Sequence, residues 1–258
     1  MNGVHRFFVE PEQIRGENIN IWGNDAHHIV NVLRFSPGDP VVVCDGEGYE
    51  YEGDIGECSK EKVSVKVRVV KKSLAEPPIS VILAQGLPKK AESLELVIQK
   101  ATELGVSRLV PLITERTVAR PKDNKLDGRW LRWNRIALEA AKQSQRAKVP
   151  VVDKPLSLNE FLDTVPRDAL CLIPWEGEKT VGIKDVLNWE EKNNLSNTVA
   201  VLIGPEGGFS KEEVEEARKA GAVPVSMGPR ILRTETAGIT AMGIILYELG
   251  DLGGAAGA

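Results

Sequence analysis

Residues 199–217 read VAVLIGPEGGFSKEEVEEA. Val199 to Ile203 are apolar without alternation, which demands a strand covered on both faces. Gly204 and Pro205 end it. A helix must then begin at Ser210: its side chain can cap the helix, Glu213 three residues on completes a capping box, and Phe209 and Val214 can close a hydrophobic staple around both. A doubly covered strand passing within a few residues into an amphipathic helix is the repeating unit of a parallel α/β sheet. What remains, Gly204–Gly208, is an open turn at the carboxyl end of such a strand, where α/β sheets bind ligands.

The same alternation extends back to about residue 79. ISVILAQG, RLVPLIT, ALCLIPW, TVAVLIG and AVPVSMG read as strands. Between and after them lie helical stretches, including KKAESLELVIQKATELG, Leu126–Arg146 and TAGITAMGIILYEL. In the first of these, Leu94, Val97, Ile98, Ala101 and Leu104 share a face and Gly105 takes the position after the last turn. Up to residue 72 the period is different. HRFFVE, NINIWG, DPVVVCDG, YEYEGDIG and KVSVKVRVV are short β-like runs divided by Gly, Asn and Asp, as in a small barrel. Its one helical piece is DAHHIVNVLRF, with Asp25 as cap and Ile29, Val32 and Leu33 on one face. Paired prolines make Lys71–Pro78 the linker, giving a barrel over 1–72 and an α/β domain with a parallel sheet over 73–258.

The net charge of −4 and the pI near 5.6 hide a local imbalance. Arg116–Lys148 carries ten basic and three acidic residues, and 60–72 carries six against one. Two such patches point to an anionic partner. No stretch of about 18 apolar residues is present to span a bilayer, and the first residues lack the marks of a secretory signal, so a cytoplasmic protein is expected. Cys44, Cys58 and Cys171 have no metal-clip spacing, and neither do His27 and His28, so no metal is expected.

The phosphate patterns GxxxxGK[ST] and GxGxxG are both absent, and the Glu206 carboxylate would repel a phosphate. A cationic nucleoside cofactor such as S-adenosylmethionine suits the turn better. A second loop, VSMGPRILRTETAG, repeats the design. Gly228 and Pro229 end a strand and a helix begins near Thr234. Ile231 and Leu232 can either dock on the core or sandwich a flat base, and Arg233 is a cation at a helix start, where the dipole disfavours it.

IGPEGGFS and MGPRILRTETA, together with IQKATELGV, EAAKQSQR and HHIVNVLRFSPGD, resemble the ribosomal RNA small subunit methyltransferase E family of the SPOUT class, over nearly the whole chain and in order. The resemblance implies an S-adenosylmethionine-dependent enzyme that methylates N3 of one uridine near the decoding centre of 16S rRNA. It also implies an N-terminal PUA-like barrel, a C-terminal domain with a trefoil knot, and a homodimer. Carried over, the cofactor residues are Pro174, Ile203, Gly204, Pro205, Glu206, Gly207 and Gly208, then Met227, Gly228, Ile231, Leu232, Arg233 and Ala237.

N3 of uracil is protonated at neutral pH. Glu206 is a candidate to remove that proton and Arg233 to stabilise the anionic ring, although Glu206 could instead hold the cofactor and Arg233 a phosphate. For RNA binding the candidates are Arg6, His28 and Arg34 in the barrel and Arg116, Arg120, Arg129, Gln143 and Arg146 beyond it. A non-catalytic RNA-binding or ribosome-assembly protein, or a methyltransferase acting on another rRNA or tRNA position, are the rival readings. No residue visibly encodes uridine N3.

Overall fold

The computed structural model describes residues 4–59, 61–120, 123–193 and 197–254. The chain divides into two compact units, Met1–Glu76 with Ala141–Val149, and Pro77–Ala140 with Pro150–Ala258.

The first unit is a curled six-stranded sheet. Its strands are β1 (Arg6–Phe8), β2 (Ile14–Arg15), β3 (Asn18–Trp22), β4 (Pro40–Cys44), β5 (Tyr49–Cys58) and β6 (Lys62–Lys72), in the order β1-β4-β5-β6-β3-β2. All neighbours are antiparallel except β1 and β4. Period-2 alternation turns Ile19, Ile21, Val41, Val43, Val63 and Val65 inward, where they pack with Phe7, Ile55, Ala26 and Ile29. The basic β6 is matched by an acidic β5. Lys71 pairs with Glu50 and Glu52 and Arg68 with Asp54, so much of that charge is answered across the ladder.

The helical piece differs from expectation. Helix α1 (Asn24–His27) starts after Gly23, which has φ 73° and offers no side-chain cap; Asp25 lies inside the first turn and faces Lys142 at 3.5 Å. A π-helical turn, His28–Leu33, follows. Its wider turn keeps Ile29 inward and Leu33 half-buried, while Val32 rotates out to solvent.

Ala141–Val149 joins the first unit through one carboxylate. Glu76 accepts from the Arg146 guanidinium at 2.9 Å and from the backbone N–H groups of Ala147 and Lys148, each at 2.9 Å. Ala147 packs among Phe8, Val42 and Cys44. Sequence periodicity runs the preceding helix to Arg146, but α3 (Asp123–Gln143) stops three residues earlier, and Gln145 turns the chain with φ 60°.

The second unit is a parallel sheet of β7 (Ser80–Gly86), β8 (Arg108–Ile113), β9 (Val151–Val152), β10 (Leu156–Ser157), β11 (Leu170–Pro174), β12 (Thr198–Ile203) and β13 (Val223–Val225). The order is β10-β8-β7-β12-β11-β13, with β9 also on β8. On one face Ile82, Ala84, Val110, Leu112, Ala200 and Leu202 pack against α4 (Leu158–Thr164) and α6 (Lys211–Lys219) through Phe161, Val214 and Ala217. The other face is covered by α7 (Thr234–Glu248), which packs on β7, β12 and two further helices, α2 (Ala91–Leu104) and α5 (Ile183–Asn193). Gly105 ends α2 at φ 108°, a left-handed position that favours glycine.

Candidate functional site

The carboxyl ends of β7, β12, β11 and β13 carry the loops that matter. The first loop follows β12. Its far end is set by the predicted capping box: Ser210 Oγ accepts from the Glu213 N–H at 3.2 Å and Glu213 Oε2 from the Ser210 N–H at 2.9 Å. The other Glu213 oxygen accepts from the Glu115 N–H at 2.7 Å, fastening the loop after β8 to the start of α6. Inside the loop the Gly208 N–H donates to the Pro205 carbonyl at 2.8 Å, and Gly208 has φ 66°.

Three neighbours hold this turn. Glu206 is exposed, and its Oε1 accepts from the Lys89 N–H at 2.8 Å. Its second oxygen has no partner among the described residues. Arg116 Nη1 donates to the Gly207 carbonyl at 2.7 Å. The Thr234 hydroxyl, at the first residue of α7, donates to the Gly204 carbonyl at 2.6 Å. Gly86, at the end of β7, lies so close to Gly204 and Pro205 that a Cβ there would strike the Pro205 nitrogen. A β7 loop therefore belongs to the site, although only the other two loops stand out in the sequence. The signal was present as AQGLPK, another glycine and proline at the end of a buried strand.

The second loop leaves β13 with its backbone tied to the segment after β11. Ser226 N–H donates to Val181 at 2.8 Å, Ile183 N–H to Ser226 at 3.0 Å, and Trp175 N–H to Val225 at 3.0 Å. In that segment Gly177 packs against the Trp175 ring. Glu178 is held down to a pKa of about 2 by the Thr180 hydroxyl and then by the N–H groups of Thr180 and Val181. Pro174 is half-buried opposite Val225. Gly228 has φ 102°, Met227 and Leu232 are half-buried, and Ile231 is 82% exposed, so it does not dock on the core. Arg233 is the exposed N-cap of α7, its carbonyl accepting from the Ala237 N–H at 2.8 Å, and its guanidinium has no partner among the described residues. Ile203 is buried in the sheet.

The RNA candidates separate by environment. Arg116 and Arg120 lie on the loop after β8 and Arg129 on α3, all exposed. Trp133 is core and Trp130 spends its N–H on the Val152 carbonyl at 2.7 Å. In the first unit His28 and Arg34 are exposed and bracket the π-helical turn, Arg34 at φ 56°. Gln143, also exposed, ends α3. Arg6 is committed to Glu50 at 3.0 Å and to the Cys44 sulfur at 3.2 Å. Arg146 is 2% exposed and closed against Glu76, so in this structure its guanidinium holds the fold and is not presented to a phosphate. Among the described residues no group of three His, Cys, Asp or Glu is placed to hold a metal ion, and no helix is long and apolar enough to cross a membrane.

Comparison with known proteins gives two family matches: an RNA methyltransferase domain over residues 75–246 and an RNA methyltransferase PUA domain over residues 23–68. Ribosomal RNA small subunit methyltransferase E of Bacillus subtilis is 36% identical, covering 95% of this chain and 97% of its own length. The protein of that name from Synechocystis is 34% identical over 93% of this chain and 76% of its own. Among solved structures, the ribosomal RNA small subunit methyltransferase E of Neisseria gonorrhoeae bound to S-adenosyl methionine superposes with a TM-score of 0.84 at 27% identity, over 96% of this chain and 99% of that one.

Proposed function

Because this chain belongs to the ribosomal RNA small subunit methyltransferase E family, we propose that it methylates N3 of a single uridine of 16S rRNA near the decoding centre, using S-adenosylmethionine. The observation that carries the reading is the meeting of three loops at the carboxyl edge of the sheet, with Thr234 joining the first to the second. The donor set fits the cofactor: exposed Ile231 and half-buried Leu232 offer apolar faces to a purine, and glycine backbone offers close approach.

When bound, S-adenosylmethionine supplies a methyl group activated on a sulfonium. The chain's own residues position uridine N3 in line with that methyl and remove its proton. Glu206, fixed through one oxygen by the Lys89 N–H, keeps the other to accept the N3 proton. Arg233, whose guanidinium has no partner among the described residues, stabilises the charge that deprotonation puts on the uracil carbonyl oxygens. S-adenosylmethionine held by the two glycine loops would supply the methyl to N3 and would leave as S-adenosylhomocysteine.

RNA is held by Arg116, Arg120 and Arg129 from the second unit and by His28, Arg34 and Gln143 from the first. The first unit contains Arg34 and Gln145, the two non-glycine residues of positive φ among the described residues, and strained backbone of this kind collects at functional sites. A homodimer belongs to the same reading, and Trp189 on α5 (59% exposed) and Tyr247 on α7 (66%) are large apolar side chains available to a partner copy. The knot is supported by chain path. After edge strand β13 the chain, tied by Ser226 to Val181 and Ile183, returns to pack α7 on the central β7 and β12.

The test is methyl transfer from labelled S-adenosylmethionine to small ribosomal subunits that lack base methylation, with the product nucleoside identified by mass spectrometry. N3-methyluridine at one position is expected. Another methylated nucleoside refutes the position, and binding of cofactor without product refutes catalysis on this substrate.

A further inference from the structure

The central strand β7 reaches both glycine loops through one side chain. Gln85 is fully buried, and its Nε2 donates to the Thr234 hydroxyl at 2.7 Å, with the Thr234 carbonyl oxygen 3.4 Å away. The same hydroxyl donates onward to the Gly204 carbonyl. Thr234 follows directly on the second loop, and Gly204 opens the first, 30 residues earlier in the chain. A relay of two hydrogen bonds thus ties the two loops together, and it starts from a central strand of the sheet.

The arrangement is not the most stable one available. With its amide hydrogens turned to Thr234, Gln85 Oε1 is buried and has no hydrogen-bond partner among the described residues. An unpaired buried acceptor is destabilising, and an apolar side chain of similar volume would remove the penalty. Gly238, four residues beyond Thr234 on α7, is what makes room for that oxygen, since a Cβ there would strike it. Three residues on two elements are therefore matched around a polar group that packing alone would not choose.

We propose that Gln85, acting through Thr234, is a positioning residue for the cofactor site: it holds the Gly204 carbonyl and the first turn of α7 at the spacing that S-adenosylmethionine needs. This rests on the cofactor reading given under the proposed function. Gln85 reaches the site through Thr234, so its removal is expected to shift cofactor binding and leave the chemical step alone.

The test is calorimetric titration of S-adenosylmethionine into the full chain and its Gln85→Met, Thr234→Val and Thr234→Ser variants, with melting curves in parallel. Gln85→Met and Thr234→Val are expected to weaken binding about tenfold, equivalent to about 1.4 kcal/mol. Thr234→Ser, which keeps the hydroxyl, stays within about threefold of the parent by the same arithmetic. The melting temperature of Gln85→Met is unchanged or raised, and in methyl-transfer assays the cofactor KM rises while kcat at saturation holds. Parent-like affinity in both Gln85→Met and Thr234→Val overturns the proposal, as does a Thr234→Ser variant as weak as Thr234→Val. Should Gln85→Met fail to fold, the valine and serine pair still decides. A parent chain that binds no S-adenosylmethionine overturns the cofactor reading itself.

Discussion

Arg146 and Glu76 bury opposite charges against one another, so removing either leaves the other without compensation. Breaking such a pair costs about 3–5 kcal/mol. Arg146→Ala is therefore expected to lower the free energy of equilibrium unfolding by an amount of that order and to shift the denaturant midpoint down accordingly. Its RNA binding, measured while the protein is folded, should keep the parent's salt dependence, because no phosphate contact has been lost. Arg129→Ala should do the reverse, leaving stability within about 0.5 kcal/mol as exposed substitutions usually do and lowering the slope of log affinity against log salt by about one contact. The two arginines look alike in sequence. What separates them is a carboxylate some seventy positions away from Arg146, and nothing in QSQR announces it.

At the level of elements, local signals were enough where the physics is local. The start of α6 was readable because a capping box is written within four residues, and Ser210→Ala is expected to cost about 1 kcal/mol in thermal or chemical unfolding. Part of that loss falls on the site, since Glu213 spans Ser210 and Glu115. The end of α2 was equally legible from Gly105. The end of α3 was not: helical periodicity continues through Arg146, and only tertiary bonds to Glu76 draw the chain away after Gln143. The π-helical turn escaped too, because the pattern at Ile29, Val32 and Leu33 fits an α-helix as well. The role of β7 in the site was hidden for a different reason: Gln85 becomes informative only when Thr234, 149 residues later, is seen beside it.

For the whole molecule, the decisive quantity is apolar surface left in water. Trp189 and Tyr247 are large side chains exposed on packed helices of the second unit. On the dimer proposed above, with both side chains in its contact, placing glutamate at both positions is expected to give one chain mass in light scattering after size exclusion where the parent gives two. A parent that already runs as a monomer would remove the dimer from the account. Topology was the least legible level. Nothing in the sequence pattern places the last helix, and the return of α7 from the edge strand to the centre of the sheet becomes visible only in three dimensions.

The first unit is assembled from two stretches of chain, with Ala141–Val149 inserted beside Phe8, Val42 and Cys44. A gene fragment cut at residue 76 would encode a barrel with a bare strip and a carboxylate missing its cation. The barrel is consequently not a cassette. A barrel swapped in from a distant homologue is expected to fold only if its two separated stretches travel together.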